Sequence, residues 1–278
     1  LGEQEVIMMR VSILSDEISV DPVAACEIAA GWGLKHLELR LWMNTRAPVG
    51  MSDRDMENVR RAGEEFGLTF PTISPGLFKL RLEDPAYAEH QGPFAERCFD
   101  LAEAVGAGIV VLFPPLCDSY DEWLNWPQQV VEDLQAAAEA AARRGLLLAL
   151  ENEPACYGGS GQALAQLVAA VNHPSLRANW DPGNHTSSTK TDFRDGYAAI
   201  KPYMVHCHVK DYDTQAGGAA IPPGEGDVDW RGQLAALKAD GYQGLLVLET
   251  HFRPKIAGSH DCYQRLVRLL AEVGEEAQ

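Results

Sequence analysis

Residues 146–151 read LLLALE, an apolar run that ends on one carboxylate, Glu151. Three later runs have the same form: LRANWD (176–181) ends on Asp181, MVHCHVKD (204–211) carries His208, and LLVLE (245–249) ends on Glu249. Each is short, apolar or strand-forming, and bounded by Gly, Pro or Asn, which is the pattern of a buried strand. A carboxylate at the end of a buried strand is costly unless its charge is compensated. Four such ends bearing Glu, Asp, His and Glu point to one shared compensator, a divalent cation.

Outward from these runs the same alternation fills the chain. Strands are expected at 10–14, 36–41, 69–74, 109–113, 146–151, 177–181, 204–210 and 244–249. Helical stretches lie between them at 22–32, 53–66, 93–105, 128–144, 162–171 and 230–240, with a last one near 261–273. Gly33, Gly67, Gly106, Gly145 and Gly241 stand just before strands, where they suit helix C-caps. Eight strands alternating with about eight helices read as a single-domain (β/α)8 TIM barrel spanning 1–278. The alternative, an open doubly wound sheet, normally shows a Gly-rich phosphate loop after an early strand. Here the first strand runs into SDEIS, acidic and without glycine.

Barrel active sites form at the C-terminal ends of the strands, where all four candidate ligands stand. Side-chain alternation puts Leu147, Ala149 and Glu151 on one face, Leu245, Val247 and Glu249 on one face, and His206, His208 and Lys210 on one face. Taken singly, each has a bland reading. Asp181 in WDPGN suits a turn, and His208 suits a core histidine bonded to a carbonyl. The coincidence of four on consecutive strands favours the metal.

Composition narrows the class. The hydrophobic fraction of 46% and charged fraction of 23% are those of a globular protein. No run approaches the roughly 18 consecutive apolar residues of a membrane span. The N-terminal LGEQEVIMMR lacks the basic and apolar regions of a signal peptide, and Leu1 in place of Met suggests a trimmed start; a cytoplasmic protein is expected. The net charge of −17, from 23 Lys plus Arg against 40 Asp plus Glu, disfavours nucleic acid and anionic membranes as partners. Six scattered cysteines without a CxxC pair read as buried thiols.

The ordered set LEN (150–152), WDPGN (180–184), HCHVKD (206–211), PGEGDVDW (223–230) and LET (248–250) resembles the xylose-isomerase-like TIM-barrel superfamily of sugar phosphate isomerases and epimerases. SDEIS and HLELR resemble its first two strands, so the likeness spans essentially the whole chain. The resemblance implies a metal held by Glu151, Asp181, His208 and Glu249. Three oxygens and one imidazole suit Mn, Zn, Co or Mg. It further implies that Glu151 and Glu249 flank the reacting carbon, one removing a proton and the other returning it. Where sugar epimerases of the family often carry Asp-x-x-His, this chain has Asn184, with His185 one place further. Both are candidate substrate contacts, as are Lys210, Glu153 and Arg253.

Weaker expectations follow. Glu38 and Arg40 are expected to pair inside the barrel, and Trp230 to pack at a helix start capped by Asp229. A phosphate cradle is conceivable at Gly224 and Gly226. Trp42, Phe78, Phe113 and Trp180 are candidates for a wall against a sugar face. The expected partner is a small sugar-like molecule (a sugar, a sugar phosphate or a keto-inositol), with a homo-oligomer left open. The same enediolate chemistry supports isomerisation, epimerisation, or loss of a β-hydroxyl by a dehydratase or lyase. A non-catalytic metal- or sugar-binding subunit stays open, whereas an abasic-site nuclease would need further His ligands and a basic surface.

Overall fold

In the computed structural model, residues 9–277 are described; the N-terminal stretch read above for a signal sequence lies mostly outside them, at 1–8. Eight parallel strands form a nearly closed barrel: β1 Arg10–Ile13, β2 His36–Leu39, β3 Thr69–Leu77, β4 Ile109–Leu112, β5 Leu147–Glu151, β6 Leu176–Trp180, β7 Met204–Val209 and β8 Leu245–Leu248. The ladder runs in sequence order from β2 to β8 and returns to β1. A single parallel bridge, Leu14 to Glu38, joins the first two strands. All eight expected strands are present, with ends shifted by a residue or a few.

Nine helices of the described residues cover the outside: α1 Pro22–Gly31, α2 Asp53–Phe66, α3 Pro93–Val105, α4 Gln128–Arg143, α5 Gly161–Val171, α6 Pro182–Thr189, α7 Phe193–Ile200, α8 Trp230–Ala239 and α9 Lys255–Glu272, besides the short turn Tyr87–His90. Their ends follow local chemistry. Ser52 and Asp55 form a reciprocal capping box on α2, and Gly67 and Gly106 close α2 and α3 in the left-handed conformation at φ 69° and 78°. The connection after β6 departs from expectation. It holds two helices, and α6 itself is made of the polar stretch PGNHTSST (182–189), which hides helical periodicity in the sequence. No described helix is long and apolar enough to cross a membrane.

The two strand faces differ in kind. The outward face (Val11, Ile13, Leu37, Leu39, Val110, Leu148, Leu150, Trp180, Cys207, Leu246, Leu248) joins the helices in one apolar core. Inside the barrel a small separate cluster of Leu14, Leu245 and Val247 lies beside buried Ser12, Glu38, Thr72, Asn179, His206 and His208. A barrel interior is usually filled by bulky aliphatic layers. Here the layer beneath the strand ends is polar, with Glu38 bonded to Thr72, His206 and His208 and Asn179 to Glu151.

Candidate metal centre

Glu151, Asp181, His208 and Glu249 converge from β5 to β8, each buried, with one ligand atom of each lying within 4.8 Å of the others. Register explains the convergence. Glu151 pairs with Asn179, Asn179 with His206, and His208 with Val247, so the residues at the ends of four neighbouring strands meet at one level.

Each candidate ligand is held by its own supports. Asn179 Nδ2 donates to Glu151 Oε2 at 3.0 Å, and Asn184 Nδ2 donates to Oε1 at 3.1 Å. Asp181 is both a turn residue and a candidate ligand. Its Oδ1 accepts the Asn184 N–H at 2.8 Å and caps α6, while its Oδ2 faces Lys210 Nζ at 2.8 Å without a well-formed hydrogen bond. Asn152 clamps the Asp181 backbone, accepting its N–H at 2.8 Å and donating to its carbonyl at 2.9 Å. Gly183 allows the close approach: a Cβ there would meet Lys210 Cγ and the Lys210 carbonyl at 2.9 Å.

The surroundings of His208 suit either a protonated or a metal-bound imidazole. Its Nε2 lies 3.0 Å from Glu38 Oε1, so that nitrogen carries the proton and Nδ1 faces Glu151 Oε2 at 3.2 Å with no hydrogen-bond partner. Glu38 also accepts from His206 Nε2 at 2.7 Å and from Thr72 Oγ1 at 2.6 Å. Burial opposes the Glu38 charge, but the two imidazoles outweigh it and hold the carboxyl far below its usual range. Glu38 and Arg40 therefore do not pair with one another as expected. The strand register sends Glu38 to the histidines, and Arg40 reaches over the rim to Asp16 (2.8 Å), Glu17 (3.0 Å) and Glu249 Oε1 (2.5 Å).

Charge balance tests whether a cation fits. Five buried carboxylates, from Asp16, Glu17, Glu151, Asp181 and Glu249, are answered by two permanent cations, Arg40 and Lys210, and by His251, which Glu17 and Glu249 push up to about 9. Lys210 Nζ sits between Asp181 and Glu249 Oε2, the latter at 2.7 Å, so it answers only part of the deficit. The donor set, the unpartnered Asp181 Oδ2 and His208 Nδ1, and this excess of negative charge all fit a divalent cation. Burial pushes the Asp181 carboxyl up to about 6, and Glu151 and Glu38 overcome burial to push the His208 imidazole well above its usual value. A metal must displace these protons. Its affinity is expected to rise with pH: about tenfold per unit near neutrality, as His208 gives up one proton, and more steeply below about 6, where Asp181 holds a second. Competition against a fluorescent chelator between pH 5 and 8 reads the slope, and a flat profile would count against these ligands.

The remaining expected contacts divide. Asn184 touches the centre through Glu151, and Lys210 lies within it. Glu153 is near but engaged, 2.5 Å from Lys79 Nζ. His185 does not join the centre: its Nδ1 accepts the Gly161 N–H at 3.3 Å, its Nε2 lies 3.2 Å from Thr191 Oγ1, and its ring packs on Trp180. Arg253 is exposed and makes no side-chain ion pair among the described residues. Gly224 and Gly226 form no phosphate cradle, because their N–H groups both donate to Asp211 Oδ2, at 2.8 and 3.1 Å. Asp229 caps α8 and Trp230 is buried there, its Nε1 donating to the Lys210 carbonyl at 3.1 Å. Trp180 is fully buried in the core with its Nε1 on Gln233, away from any sugar face. Sequence reasoning missed Asp16, Glu17 and His251, the last lying 3.3 Å from Glu17 and 3.4 Å from Glu249. The acidic SDEIS was the available signal for the first two.

Comparison with known proteins places the family and the fold. The family model described as "xylose isomerase-like TIM barrel" matches residues 26–277. A curated 3-dehydroshikimate dehydratase of Pseudomonas putida is 31% identical over 166 residues, 56% of this chain but 25% of that protein. The chain thus spans a quarter of the length of that relative. A xylose isomerase-like TIM barrel protein from Mycobacterium smegmatis, solved in complex with magnesium, superposes at TM-score 0.74 with 18% identity, covering 96% of this chain and 97% of that one. An L-ribulose 3-epimerase superposes at 0.75 with 14% identity and 96% coverage of both chains. At such identities the superpositions speak for the fold.

Proposed function

Because the chain belongs to the xylose isomerase-like TIM-barrel family, we propose that it is a divalent-metal-dependent isomerase or epimerase that moves a carbon-bound proton of a small sugar-like carbonyl compound. The observation that carries this reading is the pair of buried carboxylates, Glu151 and Glu249, fixed in one ligand cluster from strands three apart. A bound divalent cation supplies Lewis-acid polarisation of a carbonyl and its neighbouring hydroxyl oxygen. The chain supplies the proton chemistry. Burial disfavours both charges, but His208 keeps Glu151 below its usual pKa, and Lys210, His208, His251 and Arg40 keep Glu249 well below it. Both are therefore ionised bases at neutral pH. Asn179 and Asn184 aim Glu151, while Arg40 and Lys210 aim Glu249. If both face the reacting carbon, one removes the proton and the other returns it on the opposite side, giving an epimer. If only one does, the same enediolate reprotonates at the neighbouring carbon, giving an isomer. The Lys210 ammonium stands where it can stabilise negative oxygen.

The match to a dehydratase favours a second reading, elimination of a β-hydroxyl as water. That step needs a proton donor to the leaving oxygen. Lys210 and Glu153 remain candidates, and His185 does not, since both its ring nitrogens are engaged within the fold.

Turnover in deuterium oxide separates these outcomes. The expected result is deuterium beside the carbonyl of recovered substrate or product, abolished by a chelator. Product carrying only the substrate's own hydrogen would point to a hydride shift and against a proton-transfer pair. Loss of water from the product would select the dehydratase.

A further inference from the structure

A cavity of about 650 Å³ lies among the segments that follow β2 and β3, lined by Arg46, Val49, Lys79, Leu80, His90 and Phe94 among others. Two of its lining residues, Arg46 and Lys79, are linked to the neighbourhood of the metal centre. Arg46 closes a two-residue hairpin in which it pairs with Leu41, next to the Arg40 that holds Glu249. Lys79 is ion-paired to Glu153, two residues past Glu151, and stands 4.3 Å from the centre of the Phe113 ring.

The polar groups of this cavity differ in what they leave open. Lys79 is satisfied by Glu153. The His90 Nδ1 accepts the Phe78 N–H at 2.7 Å, which fixes the remaining proton on Nε2 as a donor. Glu89 is exposed and pairs with no cation among the described residues. Arg46 likewise makes no side-chain hydrogen bond or ion pair among the described residues. Its stem runs 3.5 Å from where a Cβ on Gly76 would stand. Its surface is open to solvent although protein surrounds it on most sides; this partial desolvation, then the Arg40 charge, lowers its pKa, and the Glu249, Asp16 and Glu151 charges raise it. An unengaged guanidinium beside an apolar wall is an open fork for a planar anion.

We propose that this cavity is a carboxylate subsite: the substrate is a hydroxy- or keto-acid whose carboxylate is held by Arg46, with His90 as a second donor, while its carbonyl end reaches the centre at Glu151 and Glu249. This rests on the proposed proton-transfer reading and adds the substrate class to it. One open guanidinium and one neutral donor match a single negative charge. A dianionic phosphate would meet Glu89 with nothing left to balance it. Val49, Leu80, Pro93 and Phe94 then pack the carbon skeleton.

The test is ligand binding to the metal-loaded protein, read by titration calorimetry and saturation-transfer NMR. The probes are glucuronate, galacturonate, shikimate and quinate, with their methyl esters and glucose 6-phosphate as comparators. At least one acid should bind on the order of 10–100-fold more tightly than its ester, and Arg46→Gln should abolish that preference while leaving ester binding and the circular dichroism spectrum unchanged. Arg46→Lys should restore part of it. Equal binding of acids and esters, no binding by any acid, or an acid preference that survives Arg46→Gln would overturn the proposal. Preference for the phosphate ester would overturn the carboxylate assignment. None of these readouts uses turnover, so a failure of solvent-deuterium exchange is told apart from a failure of the subsite.

Discussion

Glu151→Gln and Glu249→Gln should each lower kcat on the order of 10²–10⁴-fold, the range for losing a positioned general acid or base. Glutamine keeps the length of the side chain and one oxygen, so what is removed is chiefly the ability to take a proton. Glu151→Gln also puts an amide NH2 near the donating amides of Asn179 and Asn184, and some loss of metal is expected with it. Glu249→Gln leaves Arg40 and Lys210 with one carboxylate fewer, and its metal loss should be smaller. Metal content measured on the same samples therefore separates lost basicity from lost metal. Full activity in either metal-loaded variant would remove that residue from the proton-transfer scheme, and intact sugar binding with no turnover in both would distinguish an enzyme from a binding subunit.

Chelation should destabilise the fold, because the centre concentrates buried negative charge that a cation offsets. A metal present at about 1,000 times its Kd contributes about 4 kcal/mol. For a chain of this size that is roughly 10 °C in Tm. Asp181→Ala and His208→Ala should abolish near-stoichiometric metal content and, with it, the chelator-dependent shift. Asp181 also caps α6, so its replacement by Ala costs about 1 kcal/mol irrespective of metal. Asp181→Asn keeps an oxygen for the cap and removes the charge. If both aspartate variants retain the chelator-dependent shift and bind metal normally, the ligand set is wrong.

The sequence by itself determined the alternation of strands and helices and the phase of each strand. Side-chain period two puts Glu151, His208 and Glu249 on the inner face, and only a barrel brings four such ends to one rim. What each ligand leans on was not legible, because those partners come from strands far apart in the chain. Glu38 reads as half of a salt bridge with Arg40 because the two share a face two residues apart. Closure of the barrel sets Glu38 against His206 and His208, 168 and 170 residues away, and turns Arg40 toward Asp16, Glu17 and Glu249. His185 looked like a substrate contact because it sits beside Asn184, but α6 rotates successive side chains by about 100°, so Asn184 meets Glu151 while His185 packs under Trp180. The glycines of PGEGD suggested an anion cradle, and the tertiary structure fills it with the chain's own Asp211. Local pattern fixes which residue types stand at a strand end. Which charges they answer is decided by register and barrel closure, since a Coulomb interaction depends on distance in space and not on separation along the chain.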